Sequence, residues 1–316
     1  MRWTRSRPVT AISGTTVFLV NPASAGGSTG RRWPEIAHRA AAKGLVGDAF
    51  ISEEQGHLTA LAAEAVRDGA TRLVVVGGDG SVHEVVNGIA ESGTVELAVI
   101  PRGTGWDFVR TFGIPRDLDQ AVGVALDGDV RVIDLGLATY RTWAGEEERS
   151  TFANVASAGI SGAIAKRANE TSKALGGKVS YYWSTLAVFV GWQTGVMRVA
   201  VDANVREGRM IDVMVCNGRY LGGGMMMCPE AEPDDGQFDV LAIGDVTKRD
   251  LAFTLPKTYR GKHLPHPRLE LLRGPVVTID ADEPLPVELD GEQPGTTPAR
   301  FEILPGALRL RVPSAG

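Results

Sequence analysis

At 316 residues the chain is long enough for two domains with a substantial core. A net charge of −5, with 43% apolar and 22% charged residues, fits an ordinary globular protein and argues against a general nucleic-acid binder. Two cysteines, Cys216 and Cys228, are too few for a disulfide framework or a zinc site, and they point to a reducing cytoplasm.

The N-terminus sketches a signal peptide: Met1 to Arg7 is basic, Val17 to Val20 is apolar, and Ala23-Ser24-Ala25 imitates a cleavage site. Ser13, Gly14, Thr15 and Thr16 interrupt it, so the stretch reads better as a first β-strand, Thr16 to Val20. The expectation is a cytoplasmic protein. No apolar run reaches the ~20 residues of a membrane span; the nearest, Tyr181 to Trp192, is short and contains Ser184 and Thr185.

The first strand runs into Asn21-Pro22-Ala23-Ser24-Ala25-Gly26-Gly27-Ser28-Thr29-Gly30, a turn rich in glycine and hydroxyls. Ligands of open α/β sheets bind at the carboxyl ends of the strands, where this turn falls. Arg31 and Arg32 open a helix through Ala42, able to face phosphate or solvent. Asp48 to Ser52 reads as a second strand, and His57 to Asp68 as a helix closed by Gly69-Ala70.

The centre of the chain is Arg72 to Gly88. An apolar β-branched run, Leu73 to Val76, breaks at Gly77-Gly78-Asp79-Gly80 and resumes with Val82, Val85, Val86 and Ile89 at helical spacing. This is strand, glycine turn, helix. The glycines permit positive φ and close approach of a ligand, Ser81 is placed to cap the helix, and the amides at a helix start bind anions. Asp79 beside a phosphate makes sense if Mg²⁺ lies between them or if Asp79 handles a proton; the plainer reading is a tight turn. Val95 to Ile100 forms another strand, ending in Pro101-Arg102-Gly103-Thr104-Gly105-Trp106-Asp107-Phe108. Three strands thus finish in polar glycine loops that a parallel sheet brings to one edge. The P-loop and dinucleotide-binding glycine signatures are absent.

The second half is dominated by β runs from Val132-Ile133-Asp134-Leu135-Gly136 onward, including 197–201, 210–216, 238–243, 276–280 and 285–289. Their spacing suggests a mainly antiparallel domain. Residues 163–171 and 179–195 look helical, and a strand pair, 301–304 and 308–312, closes the chain. Asp234-Asp235-Gly236 and Asp290-Gly291-Glu292 are turn formers by intrinsic chemistry. Met225-Met226-Met227 reads as core or as an adaptable apolar wall. Arg260, Lys262, His263, His266 and Arg268 form a basic cluster, either a solvated face or a contact for an anionic membrane.

The order Asn21-Pro22, Gly77-Gly78-Asp79-Gly80-Ser81, Pro101-Arg102-Gly103-Thr104-Gly105-Trp106-Asp107-Phe108, Asp234-Asp235-Gly236-Gln237-Phe238-Asp239 and Leu289-Asp290-Gly291-Glu292 resembles the diacylglycerol kinase catalytic family. That family includes soluble bacterial lipid kinases and is related to the sphingosine and ceramide kinases. Ser81 stands where threonine is usual, keeping the hydroxyl. Trp106 stands where asparagine is common, and His83 where asparagine is frequent.

The resemblance implies an N-terminal nucleotide-binding α/β domain, like that of NAD kinases and phosphofructokinases, over residues 1–133. Residues 296–316 pack back on it, and 134–295 form a C-terminal β-sandwich domain for the lipid. It implies an ATP-dependent lipid kinase acting on diacylglycerol, a sphingoid base or a related glycerolipid. ATP would be held by Asn21, Pro22, Ala23, Ser24, Ser52, Gly77, Gly78, Asp79, Gly80, Ser81, Glu84, Gly103 and Thr104. A structural Mg²⁺ would be bound by Asp235 with the carbonyls of Glu232 and Gln237, and catalysis would fall to Asp290 and Glu292, one of them the base, with Asp79 the next candidate. A NAD kinase and a catalytically inactive nucleotide- or lipid-binding relative are the alternatives. The substrate implies peripheral contact with a membrane and no nucleic-acid partner; a homodimer is open.

Overall fold

The computed structural model describes residues 15–90, 92–165, 167, 188–189, 191–192 and 194–314. The first half runs β1 (Thr15–Val20), α1 (Ser28–Ala42), β2 (Asp48–Ile51), α2 (His57–Arg67), β3 (Ala70–Gly77), α3 (Asp79–Ile89), β4 (Glu96–Pro101), α4 (Asp107–Thr111) and α5 (Leu118–Asp127). Its strands pair in parallel in the order β2-β1-β3-β4. Their apolar runs are continuous because both faces are covered. Val17, Leu19, Leu73, Val75, Leu97 and Val99 pack with residues of α2 and α3. The alternating set, Phe18, Val20, Val74, Val76, Ala98 and Ile100, packs with residues of α1 and α5. The result is a three-layer α/β/α unit whose strands β1, β3 and β4 are immediate neighbours, so their C-terminal loops lie side by side.

The second half runs β5 (Asp129–Thr142), β6 (Glu147–Phe152), β7 (Val155–Gly159), β8 (Gly195–Val201), β9 (Asn204–Cys216), β10 (Tyr220–Leu221), β11 (Met225–Met226), β12 (Phe238–Gly244), α6 (Lys248–Thr258), β13 (Leu269–Gly274), β14 (Val276–Ala281), β15 (Pro286–Leu289) and β16 (Glu292–Val312). The pairings among these strands are antiparallel. A core of Phe152, Phe238, Phe301, Val213, Val215, Val277 and Ile279 fills the interior of this β unit. A second cluster, with Ile211, Met214, Met225, Met227 and Leu241, packs beneath partly buried Phe189 and Leu255.

The closing strand pair expected over 301–304 and 308–312 is one strand, β16, interrupted by a register shift between Leu304 and Leu308. Pro305-Gly306 supplies that irregularity, with Gly306 at φ +62°. β16 pairs with β5 along most of its length, and Arg309 and Leu310 pair in parallel with Glu96 and Leu97 of β4. Two long strands therefore run from the β unit onto the edge of the parallel array. Of the helices expected over 163–171 and 179–195, residues 163–165 are helical; most of the remainder lies outside the described residues.

Candidate active site

The loops after β1, β3 and β4 meet at the floor of a cleft of about 860 Å³. Asn21 ties the first loop to the second: its backbone amide donates to the Val76 carbonyl and its side-chain amide to Ser81 Oγ at 2.9 Å. Its Oδ1 accepts from the Ala23 amide at 3.0 Å. Ala25, Gly26 and Gly27 all have positive φ, and the amides from Gly27 to Gly30 donate back to carbonyls of Pro22 to Ala25, so the first loop closes tightly on the start of α1. Arg102 reaches Ser28 of the same helix start at 3.3 Å, and its buried Nε has no hydrogen-bond partner.

The second loop differs from expectation at Ser81. The helix cap is Gly78, and Ser81 lies within the first turn of α3, buried and bonded to Asn21. Gly77 explains why: a Cβ there would come within 2.3 Å of Ser81 Oγ, so glycine makes room for the hydroxyl to turn back under the loop. The second and third loops touch through bare backbone. A Cβ on Gly103 would lie 2.8 Å from the Cα of Gly78.

Asp79 points into the third loop. Its oxygens accept from the amides of Trp106 at 2.9 Å and Phe108 at 3.1 Å, so it caps α4 from a different element. Trp106 sits in the left-handed region at φ +67°. Asparagine tolerates that region better than other non-glycine residues, which gives a backbone reason for its frequency at this position. Here the guanidinium of Arg116 lies 4.8 Å from the Trp106 ring. Burial, partly offset by the backbone amides, holds the Asp79 carboxyl above its usual range. Burial and the neighbouring Asp79 push Asp107 up to about 6. Asp107 accepts from Gly223 N–H at 2.7 Å and from Arg110 at 3.1 Å.

Opposite the glycine loops stands the hairpin between β15 and β16. Asp290 and Gly291 have φ of +51° and +97°, the geometry of a two-residue turn for which Asp-Gly is suited. The turn lines the cleft. Asp290 Oδ1 accepts from the amides of Asn154 and Val155 at 2.9 and 3.1 Å, and Oδ2 from that of Ala153 at 2.8 Å. His83 Nδ1 lies 3.2 Å from the same Oδ2. Burial pulls the His83 imidazole down, but the bond to Asp290 and the charges of Asp290, Glu292 and Glu84 outweigh it, and the net direction is up. Glu292 is less engaged. Its Oε2 accepts from Gln55 at 3.1 Å, and its Oε1 lies 3.7 Å from where a Cβ on Gly80 would be. Burial raises its pKa above the usual range.

Of the expected nucleotide-binding residues, Asn21 to Ser24, Ser52, Gly78 to Ser81, Glu84, Gly103 and Thr104 all line the cleft; Gly77 packs behind them against Ser81. Glu84 also serves locally, accepting from the Leu58 amide at 3.0 Å in the first turn of α2. Among the lining groups that sequence reasoning did not single out, four shape the site. Gly222-Gly223-Gly224 forms a further positive-φ loop, a run of three glycines that was itself a signal. Asp107 anchors that loop. Gln55 holds Glu292, and buried Glu288 accepts from the Gly291 amide and from Ser157 at 3.1 Å.

Asp235, Glu232 and Gln237 lie away from the cleft. Asp235 is ion-paired to Arg273, its Oδ1 accepts from the Gln237 amide at 3.0 Å, and the Glu232 carbonyl accepts from the Asp235 amide at 3.3 Å. Arg273 already supplies the positive charge at this carboxylate, so the residues as arranged do not fit a structural Mg²⁺. Among the described residues no three His, Cys, Asp or Glu side chains cluster as a metal site. His263 also departs from expectation. It is 2% exposed and its Nε2 contacts the Met227 carbonyl, so it belongs to the interior rather than to a basic surface.

Residues 15–138 match the diacylglycerol kinase catalytic domain, and residues 154–312 match the YegS C-terminal NAD kinase beta sandwich-like domain. The chain belongs to the diacylglycerol kinase family. A diacylglycerol kinase of Staphylococcus carnosus is 27% identical over 94% of this chain and 94% of its own length. A Pseudomonas aeruginosa protein named as a YegS-like lipid kinase is 33% identical over 84% of each chain. The crystal structure of a diacylglycerol kinase from Bacillus anthracis superposes with a TM-score of 0.72 at 26% identity, covering 95% of this chain and 97% of that one. The chain is therefore a kinase of mixed α/β architecture with a β-sandwich-like second half. No described helix of this kinase is long and apolar enough to cross a membrane.

Proposed function

We propose that this kinase transfers the γ-phosphate of ATP to a hydroxyl of diacylglycerol or a related lipid. The observation that carries the reading is the placement of Glu292 beside the glycine turn that opens α3, a partly engaged carboxylate whose Oε1 lies 3.7 Å from where a Cβ on Gly80 would be. ATP phosphates would meet Gly78 to Ser81, Asn21 to Ser24 and Thr104, with Arg102 contributing positive charge beside the start of α1. The carboxylates of Asp79 and Asp107 approach each other beside Gly105 on the cleft wall, a pair to which a divalent cation carried in with the nucleotide could be bound. Asp79 and Asp107 would hold that cation, and it would spread the phosphate charge.

Phosphoryl transfer asks the protein for positioning and charge neutralisation. The glycine-loop amides supply donors where charge develops. As the acceptor oxygen bonds to the γ-phosphorus and ADP leaves, the hydroxyl proton passes to Glu292. Burial raises that carboxyl toward neutrality, which makes it a stronger base. Asp290 is bound by three amides and His83 and is the lesser candidate.

A lipid acceptor is favoured by a nearly apolar cavity of about 100 Å³ in the second half, lined by Ile160, Ile164, Met214, Met225 and Met227. Leu221 borders both this cavity and the cleft, so the apolar space lies next to the site of transfer. The test offers purified protein labelled ATP with diacylglycerol, a sphingoid base and NAD side by side. Label in a lipid supports the reading. Label in NAD alone, or ATP binding with no transfer, overturns it.

A further inference from the structure

Helix α6 has two unlike faces. Inward, Thr254, Leu255 and Thr258 border the apolar cavity. Outward, the spacing i, i+4, i+7, i+8 places Arg249, Phe253, Pro256 and Lys257 along one side, and Arg260 follows in the turn after the helix, all exposed. Phe253 is 74% exposed, the highest value among the large exposed hydrophobics. Cations lie one turn to either side of it.

The charge of this region is opposite to that of the molecule. Residues 247–268 contain six basic side chains, Lys248, Arg249, Lys257, Arg260, Lys262 and Arg268, against one acid, Asp250, in a chain of net charge −5. All six are exposed, and among the described residues none is in an ion pair. Asp250 is occupied elsewhere, in a capping box with Thr247 and 3.5 Å from His266.

We infer that the outer face of α6 and the turn after it form a docking surface for an anionic lipid bilayer. Its occupant must be apolar opposite Phe253 and negative around it. An acidic bilayer meets both demands, with the ring entering the interface and the cations resting on headgroups. A second copy of this chain fails the second, because a two-fold contact would set the same positive patch against itself. The inner face of the same helix borders the apolar cavity, and Leu221 lines both that cavity and the cleft, so a bilayer on this surface would bring a lipid to the side of the molecule that carries both. That last step rests on the lipid-kinase reading; the surface itself rests on charge and exposure.

The test is co-sedimentation of the full chain with vesicles of phosphatidylcholine alone and of equimolar phosphatidylcholine and phosphatidylglycerol. The expected result is binding to the anionic vesicles only, weakened by salt. Each cation at such a surface contributes about five-fold in partitioning. The combined Arg249→Gln, Lys257→Gln, Arg260→Gln variant should therefore lose about 10²-fold, and Phe253→Ser about ten-fold. Unchanged melting temperatures and unchanged ATP binding would show that both variants are folded. Binding of both variants equal to that of wild type, or no binding by wild type, overturns the inference. So does a dimer in size-exclusion chromatography that Phe253→Ser dissociates. Vesicle binding without transfer to any lipid would leave the surface standing while the functional reading fell; transfer in detergent micelles with variants that bind vesicles normally would do the reverse.

Discussion

The carboxylate of Asp290 accepts from three consecutive amides, Ala153, Asn154 and Val155, and faces His83, so it fixes the hairpin that carries Glu292. Hydrogen bonds to a charged acceptor contribute about 1.5–3 kcal/mol each, and the orphaned buried donors add to the cost of losing it. Asp290→Ala should destabilise the fold by several kcal/mol, about 3 or more, read as a lower denaturant midpoint with little change in slope. His83 makes this pairing depend on pH. Its folded pKa is raised, so its contribution is complete below the unfolded value of about 6.5 and is lost as pH rises through the folded value. The stability difference between wild type and His83→Asn should therefore shrink as pH is raised from about 6 to about 9; urea melts across that range check it, and a constant or growing difference would remove His83 from this role.

Elements explain how much of the site could be read from sequence. The loops after β1, β3 and β4 were legible because a parallel array places strand ends on one edge, and glycine runs at strand ends mark close approach. The contacts between loops were not legible. Nothing local says that Asp79 caps α4, that Ser81 turns under the first loop toward Asn21, or that Gly77 and Gly103 have neighbours which a methyl group would strike. Asp107, Gln55 and Glu288 escaped notice because their partners lie far away in the chain: Gly223, Glu292 and Ser157. The expected pair of closing strands missed β16 because Pro305-Gly306 reads as a break, whereas antiparallel pairing with β5 resumes beyond the irregularity. The contact between loops can be tested directly. Gly103→Ala must push two backbones apart, so it should cost about 1–3 kcal/mol of stability and weaken ATP binding at least about ten-fold. Calorimetry showing wild-type ATP affinity would separate this loop from the nucleotide.

Across the whole molecule, β5 and β16 join the two halves on either side of a cleft whose walls are rich in carboxylates. Burial holds several of these above their usual range, pushing Asp107 up to about 6 and Glu288 to about 8, and does the same to Asp212, outside the cleft, at about 7. A group with a raised folded pKa binds more protons folded than unfolded, so the stability it brings is present at low pH and is lost as pH rises through the folded value. Melting temperature should accordingly fall between about pH 5 and 9, and Glu288→Gln should flatten that fall. The central claim is that the cleft transfers phosphate from ATP to a lipid hydroxyl with Glu292 accepting the proton. Its most direct test is single-turnover transfer of labelled phosphate from ATP to diacylglycerol in mixed micelles by wild type and Glu292→Gln, with ATP affinity measured by calorimetry. The account requires a rate at least about 10²-fold lower in Glu292→Gln with ATP affinity little changed. A Glu292→Gln protein that labels diacylglycerol at the wild-type rate would contradict it.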